Sequence, residues 1–115
     1  MTLGDLERQV MDIFWDGDGA TLTVRDVAAS FPDHAYTTIM TVLSRLAGKG
    51  FLLESKDGRL NTFRPAASRE DYITSLLLSA LASTDDRHAV LTAFAAAIDP
   101  KDRRFLRGLF TRKSR

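Results

Sequence analysis

With 115 residues, the chain is long enough for one ordinary domain, or for a small domain followed by an oligomerisation element. Hydrophobic residues make up 44% of it and charged residues 27%, as in a globular protein, and the formal net charge is +1. The absence of cysteine excludes disulfides, thiolate metal sites and cysteine nucleophiles, and His34 and His88 lack the spacing of metal ligands. No metal or cofactor is therefore predicted.

The charge is distributed unevenly along the chain, which matters more for nucleic-acid binding than its sum. Residues 1–33 carry two basic and seven acidic side chains, whereas residues 34–65 carry five basic and two acidic ones. Residues 66–115 carry nine basic and six acidic side chains. The basic middle of the chain is therefore the first place to look for contacts with an anionic partner.

Two helices are predicted at the start of the chain. Thr2 is the expected N-cap of the first helix, which residues 16–19 end. Its predicted apolar face consists of Leu3, Leu6, Val10, Ile13 and Phe14. A capping box of Thr23 and Asp26 predicts the second helix, which Pro32 ends. Trp15, at the end of the first helix, is interpreted as a packing residue.

A third helix is predicted from about Tyr36 to Ala47, with glycines at its end as a stop signal. Its expected apolar face consists of Ile39, Val42, Leu43 and Leu46. Its opposite face carries short hydroxyl side chains and one cation, namely Thr37, Thr38, Thr41, Ser44 and Arg45. Three threonines are poor helix formers for a merely solvated surface, so this face is typical of a helix that enters a DNA major groove. An ordinary solvated face is the alternative interpretation.

The periodicity then changes to that of a hairpin. Residues 51–56 and 60–64 are two strand candidates joined through Asp57 and Gly58, and Asp-Gly is a strong hairpin signal. Lys56 and Arg59 flank this turn, where they are expected to contact phosphates, although ordinary surface charge on a hairpin is the alternative. The order of helix, extended piece, helix, helix and hairpin predicts a winged helix-turn-helix domain over residues 1–67.

Three further helices are expected over residues 68–111, followed by a basic tail at residues 112–115. The stripes of this part are so apolar that a single copy could not bury them well. We therefore expect a three-helix dimerisation domain in which two chains share a core. The residues predicted for that core are Leu76, Leu77, Leu81, Phe94, Phe105 and Leu109. The fold class is thus mainly α with a small β-hairpin.

No segment predicts a membrane span or a catalytic site. The longest nearly apolar stretches, residues 73–82 and 89–98, are too short to cross a bilayer. The first residues lack the basic region and apolar core of a signal peptide. There is no glycine-rich phosphate loop and no nucleophile motif. We therefore expect a cytoplasmic protein that does not insert into a membrane and is not an enzyme.

Several segments resemble the penicillinase-repressor (BlaI/MecI) family. They are LGDLERQVMDIFW at residues 3–15, LTVRDV at 22–27, AYTTIMTVLSRL at 35–46, GKGFL at 48–52, RPA at 64–66 and SREDY at 68–72. The resemblance implies a winged-helix repressor with a helical dimerisation domain, which binds palindromic operators with TACA/TGTA-like half-sites in double-stranded DNA as a homodimer. By position it implies that Thr37, Thr38, Thr41 and Arg45 contact the DNA.

The sequence departs from the family pattern at two places. Copper-sensing relatives carry a C-terminal cysteine pair, which this chain lacks. An inactivating membrane metalloprotease is a partner by resemblance, but the corresponding place, near Ala93 and Phe94, lacks the asparagine of the cleaved Asn-Phe bond. Two functional hypotheses stand. One is a dimeric repressor of β-lactamase-like, antibiotic-resistance or stress genes, and the other is a winged-helix protein-interaction module without sequence-specific DNA binding.

Overall fold

The computed structural model describes residues 3–113, and the side chains of residues 57 and 113 lie outside that description. The elements in chain order are α1 (Asp5–Asp16), β1 (Leu22–Thr23), α2 (Val24–Ala28), α3 (Tyr36–Gly48), β2 (Leu52–Asp57), β3 (Leu60–Pro65), α4 (Arg69–Ala82), α5 (Arg87–Ala97) and α6 (Pro100–Lys113). The strands form one antiparallel sheet in the order β1-β3-β2. The predicted class, mainly α with a small hairpin, is confirmed.

Two compact units divide the chain, and their boundary falls inside α4, between Leu76 and Leu77. The core of the first unit combines one face each of α1, α2 and α3 with the inner face of the sheet. Its buried members are Val10, Met11, Phe14, Val24, Val27, Ile39, Val42, Leu43, Leu46, Leu52 and Phe63. The predicted apolar face of α3 is thus confirmed in full.

The start of α1 differs from the prediction. The expected cap, Thr2, lies outside the described residues, and the helix begins at Asp5 with Gly4 at the N-cap position. Glu7 caps this end of the helix, because its Oε1 accepts a hydrogen bond from the Gly4 amide at 2.9 Å. Met11 is fully buried, whereas Ile13, which the periodicity placed on the apolar face, is only half-buried. Packing has turned the helix toward Met11.

The hairpin turn lies one residue later than predicted. Asp57 pairs with Leu60, so the two-residue loop consists of Gly58 and Arg59 rather than Asp57 and Gly58. Gly58 has φ +65°, the conformation that a tight hairpin requires and glycine adopts at low cost. The register is determined by burial, because a slip of one residue would turn Phe63 to the solvent face.

The first turns of α4 pack against the first unit. Tyr72 is buried between Trp15, whose ring stacks on it at 5.6 Å, and Phe51, which meets it edge-on at 5.5 Å. The Leu3 amide donates to the Tyr72 hydroxyl at 3.1 Å, and the Trp15 indole donates to the Ala67 carbonyl at 3.0 Å. Trp15 is therefore a packing residue, as predicted, and residues 68–76 belong to the first compact unit.

The second unit consists of the end of α4 with α5 and α6. Asp86 caps α5 by accepting the Ala89 amide at 3.1 Å, and Pro100 is the first residue of α6. Arg112 and Lys113 are the last residues of α6 rather than part of a tail, and residues 114 and 115 lie outside the described residues. None of the helices described here is long and apolar enough to cross a membrane.

Candidate nucleic-acid interface

A helix-turn-helix is formed by α2 and α3. The predicted capping box begins α2: the Asp26 amide donates to the Thr23 hydroxyl at 3.1 Å, and the Thr23 amide donates to the Asp26 carboxylate at 2.9 Å. Buried Val24 and Val27 hold this short helix on α3. The chain then turns at residues 29–35, and α3 begins at Tyr36. This arrangement leaves the outer face of α3 open.

All five predicted residues of α3 are exposed on that outer face, namely Thr37, Thr38, Thr41, Ser44 and Arg45. Successive residues of a helix are about 100° apart, so the buried set on one side determines where the others lie. Thr37, Thr41 and Ser44 lie opposite the core. Thr38 and Arg45 lie toward α1, and Thr41 borders that side as well. The outer face of α3 is therefore short and polar, and its backbone is accessible.

The Thr41 hydroxyl uses its one proton in a hydrogen bond within the helix. Its hydroxyl donates to the Thr37 carbonyl at 2.9 Å. In this state the oxygen can only accept a further hydrogen bond, and a phosphate offers no donor. An amino group on a base edge, such as the N4 of cytosine or the N6 of adenine, does offer one. The geometry therefore suits Thr41 to a base rather than to the phosphate backbone.

On one flank of α3, a groove of about 460 Å³ separates this helix from the start of α1. Thr38, Thr41 and Arg45 line it from α3. Asp5 and Glu7 line it from α1. The predicted DNA contact Arg45 thus shares its groove with two carboxylates, which reduce the positive potential that it offers to a phosphate.

Glu7 is the buried acid of this groove. Its side chain is 9% exposed, and the Lys49 ammonium donates to both carboxylate oxygens at 2.9 Å. The pKa of Glu7 lies below its ordinary value because the Gly4 amide and then the Lys49 ammonium donate hydrogen bonds to the charged form. The positive charge of Arg45 lowers this pKa further. Glu7 and Lys49 thereby connect the start of α1 to the end of α3.

The hairpin of β2 and β3 is the wing of this domain. The other flank of α3 faces this wing across a groove of about 430 Å³. This wing-side groove is lined by Thr23, Val24, Arg25, Tyr36, Met40, Ser44, Arg59, Leu60, Asn61 and Phe63. Among the side chains that the structure describes, its lining contains two arginines, Arg25 and Arg59, and no carboxylate. Its potential therefore favours an anion more than that of the groove beside α1.

The wing places its two predicted cations differently. Arg59 is the second residue of the hairpin loop and lines the wing-side groove. Lys56 is exposed on β2, where it pairs across the hairpin with Asn61, and it is not part of the groove lining. The structure therefore brings Arg59 to the face of α3 and leaves Lys56 on the hairpin surface.

Arg25 and Met40 are residues of this groove that the sequence reasoning missed. Arg25 was counted within the acidic first third of the chain, although its place in the first turn of α2 could have drawn attention to it. Met40 belongs to neither predicted face of α3, yet it is 46% exposed and lines the groove. Exposure of a large apolar residue on a polar helix face is the signal that could have found it.

The residues predicted for a dimer core are apolar side chains that are all partly or largely exposed. Leu77 is 59% exposed, Phe94 46% and Phe105 67%, whereas Leu76, Leu81 and Leu109 are half-buried. Leu77, Leu81 and Phe94 line one apolar groove of about 240 Å³, together with Leu78, Ala80, Val90 and Leu91. No residue of α5 is buried. A helix this apolar with no buried face is typical of an interaction surface.

Among residues 3–113, no three His, Asp or Glu side chains are grouped so that they could hold a metal ion. Four of the described carboxylates instead take part in caps and ion pairs. Asp26 caps α2, Glu7 caps α1 and pairs with Lys49, and Asp12 and Asp16 accept from Arg69 at 3.1 and 2.7 Å.

Comparison with known proteins identifies the family. The sequence pattern of the penicillinase repressor family matches residues 3–112. "Transcriptional regulator BlaI" of Mycobacterium tuberculosis is 40% identical over 102 residues, covering 84% of this chain and 73% of that protein.

Two solved structures are similar to the chain at 28% identity. The solution structure of the DNA-binding domain of the repressor BlaI has a TM-score of 0.53 and covers 62% of this chain and 88% of that one. The solution structure of monomeric Bacillus licheniformis BlaI in complex with the blaP half-operator has a TM-score of 0.50 and covers 63% and 89%. The resemblance found in the sequence is confirmed. The chain belongs to the penicillinase repressor family of transcriptional regulators.

Proposed function

We propose that this protein is a transcriptional repressor that binds a palindromic operator in double-stranded DNA as a homodimer, and that it is not an enzyme. The observation that carries the proposal is the outer face of α3. Its hydroxyl side chains are all exposed, its opposite face is buried, and the described lining of the wing-side groove beside it contains arginines and no carboxylate. The relatives are transcriptional regulators, and one similar structure is a complex with a half-operator.

The face of α3 fits a major groove in size and chemistry. That groove is about 12 Å wide and admits an α-helix, provided that the side chains pointing into it are short. Thr37, Thr41 and Ser44 meet this condition, and hydroxyls can accept from amino groups of bases or, where free, donate to acceptors. Thr38 and Arg45 would then face the DNA from the flank beside α1.

Phosphates would be contacted from the wing side. Arg59 at the loop of the hairpin and Arg25 in the first turn of α2 face the same groove. Lys56, farther along β2, would add attraction without a fixed contact. Each phosphate that a cation neutralises releases counterions, so binding must weaken steeply as the salt concentration rises.

A second copy of the chain is the proposed partner of the apolar surface in the second unit. The predicted core residues Leu77, Leu81 and Phe94 lie along one groove there, and Phe105 and Leu109 would add apolar side chains from α6. Leu76 precedes this surface on α4. Burial of such a surface against itself gives a two-fold dimer, whose symmetry matches that of a palindromic operator.

The biological setting follows from the family. We propose a cytoplasmic repressor of β-lactamase-like, antibiotic-resistance or stress genes. Inactivation by a membrane metalloprotease stays a prediction, because the residues at the corresponding place, Ala93 and Phe94, do not form an Asn-Phe bond.

Enrichment from a random duplex library, followed by a salt titration of the enriched sequence, tests the proposal. We expect an inverted repeat, and a logarithm of the binding constant that falls linearly with the logarithm of salt, by about 0.9 for each phosphate contacted. Replacement of Thr37 and Ser44 by Glu, on the face opposite the core, should abolish binding without lowering the melting temperature. A wild-type protein that enriches no sequence would instead favour a protein-interaction module.

A further inference from the structure

We infer that Met40 makes the operator preference depend on thymine, by packing its side chain on the 5-methyl group of that base in the major groove. The inference rests on the proposed function and names one specificity-determining residue within it. It starts from the wing-side groove, which has exposed apolar residues beside its arginines. Binding of DNA by hydroxyls and cations alone would not require these apolar residues.

Met40 is an apolar side chain on the outside of α3. It is 46% exposed and contributes nothing to the core of the first unit. A single exposed hydrophobic residue needs no explanation. Tyr36 and Leu60, however, are 51% and 60% exposed and line the same groove from α3 and from the wing. Three large exposed apolar residues therefore share one groove next to the face proposed to enter DNA.

The charges around these residues identify the kind of ligand. Arg25 and Arg59 line the same groove, and none of the lining side chains that the structure describes is a carboxylate. A ligand that fits this groove therefore combines negative charge with an apolar group. Duplex DNA has this combination, because phosphates border the major groove and the thymine methyl is the one apolar group that the base edges present there.

Met40 is suited to such a contact by its position and its flexibility. It lies on α3 toward the wing, in the same groove as Ser44, so it would reach bases on that side of the helix. An unbranched thioether adapts its shape to a neighbouring methyl group without a fixed geometry. Leu60 lies on the hairpin next to the loop and would face the backbone, where thymine offers no methyl.

Replacement of single thymines by 2′-deoxyuridine measures the contact, because this removes only the methyl group. We expect wild-type protein to bind the enriched duplex about fourfold more weakly when the contacted thymine is replaced, which corresponds to one buried methyl. Met40→Ala should bind the thymine and uracil duplexes equally well. Met40→Gln, which keeps length and helix propensity but is polar, should also lose the difference. Met40→Leu should retain part of it.

Leu53→Ala provides a matched control, since Leu53 is an exposed apolar residue of β2 that does not line the groove. This variant should keep the full preference for thymine. Melting curves of all variants should match that of the wild type, because neither side chain belongs to the core.

Two results would overturn the inference while leaving the proposed function intact. One is wild-type protein that binds every uracil-substituted duplex as tightly as the parent. The other is a uracil effect that persists unchanged in both Met40→Ala and Met40→Gln, since another residue would then contact the methyl. Failure of the wild type to bind any duplex is a different outcome, which would reject the proposed function and this inference with it. Binding of an acidic peptide in place of DNA would have the same consequence.

Discussion

The ion pair of Glu7 and Lys49 offers a stability prediction that can be worked out from the structure. Glu7→Gln keeps a carbonyl oxygen that can still accept the Gly4 amide, so the change removes mainly the charged interaction with Lys49. Breaking a fully buried pair costs about 3–5 kcal/mol. The Lys49 side chain is 29% exposed and can turn to water, so we expect about 1–2 kcal/mol at pH 7.

Thermal melting at fixed protein concentration measures this cost. A loss of 1 kcal/mol corresponds to about 4–8 °C in a small domain. Glu54→Gln is the matched control, because Glu54 is an exposed carboxylate on β2, and it should melt with the wild type. Lys49→Met should destabilise by a similar amount, and the double variant should lose less than the two single changes together.

The pH dependence of the same variant follows from the lowered pKa of Glu7. In the unfolded chain this carboxyl has its ordinary pKa of 4.5, and in the folded protein its pKa is lower. Its contribution to the free energy of unfolding is therefore fully present above about pH 4.5 and is lost as the pH falls through the folded-state value. The difference in the free energy of unfolding between wild type and Glu7→Gln should be largest near neutral pH and should shrink toward zero in acid.

Either of two observations would refute this reasoning. Glu7→Gln could melt within about 1 °C of the wild type at pH 7, which would mean that the pair contributes no stability on the scale expected here. Alternatively, the difference could persist undiminished at a pH where Glu7→Gln and wild type carry the same charge. In that case packing of the side chain, rather than its ionisation, would be responsible.

The remaining predictions concern binding and assembly. Arg59→Ala should weaken binding to all duplexes about equally and lower the salt slope by about one unit, and a loss confined to one operator variant would contradict a phosphate contact. Thr41→Val should cost about 1 kcal/mol of operator affinity in mobility shifts, and unchanged affinity would remove the hydroxyl from the contact set. Arg45→Ala should cost about 1 kcal/mol, the lower end for a charged contact, since carboxylates share its groove. Phe94→Asp should convert the dimer to a monomer in sedimentation at micromolar concentration, and an unchanged dimer would place the interface elsewhere.

Local sequence patterns alone predict much of the secondary structure and of the buried face in the first unit. The capping box of Thr23 and Asp26 and the buried face of α3 are as predicted, because each depends on residues three or four positions apart. Since the buried face determines the opposite one, the exposure of Thr37, Thr41 and Ser44 also followed from the sequence. The composition of this face indicated DNA, whereas a palindromic operator and its half-sites were implied only by the resemblance to a family.

Tertiary structure alone decided which neighbours those faces meet. Lys49 bonds to Glu7 across 42 positions, and no pattern along the chain pairs a cap of α1 with the end of α3. Pairing of Asp57 with Leu60 places the hairpin turn one residue later than predicted, and packing chose Met11 over Ile13. Periodicity reports only the residues within a turn or two of a helix, or on one face of a strand. The final rotation and register of an element depend instead on many weak contacts with elements that are distant in the chain.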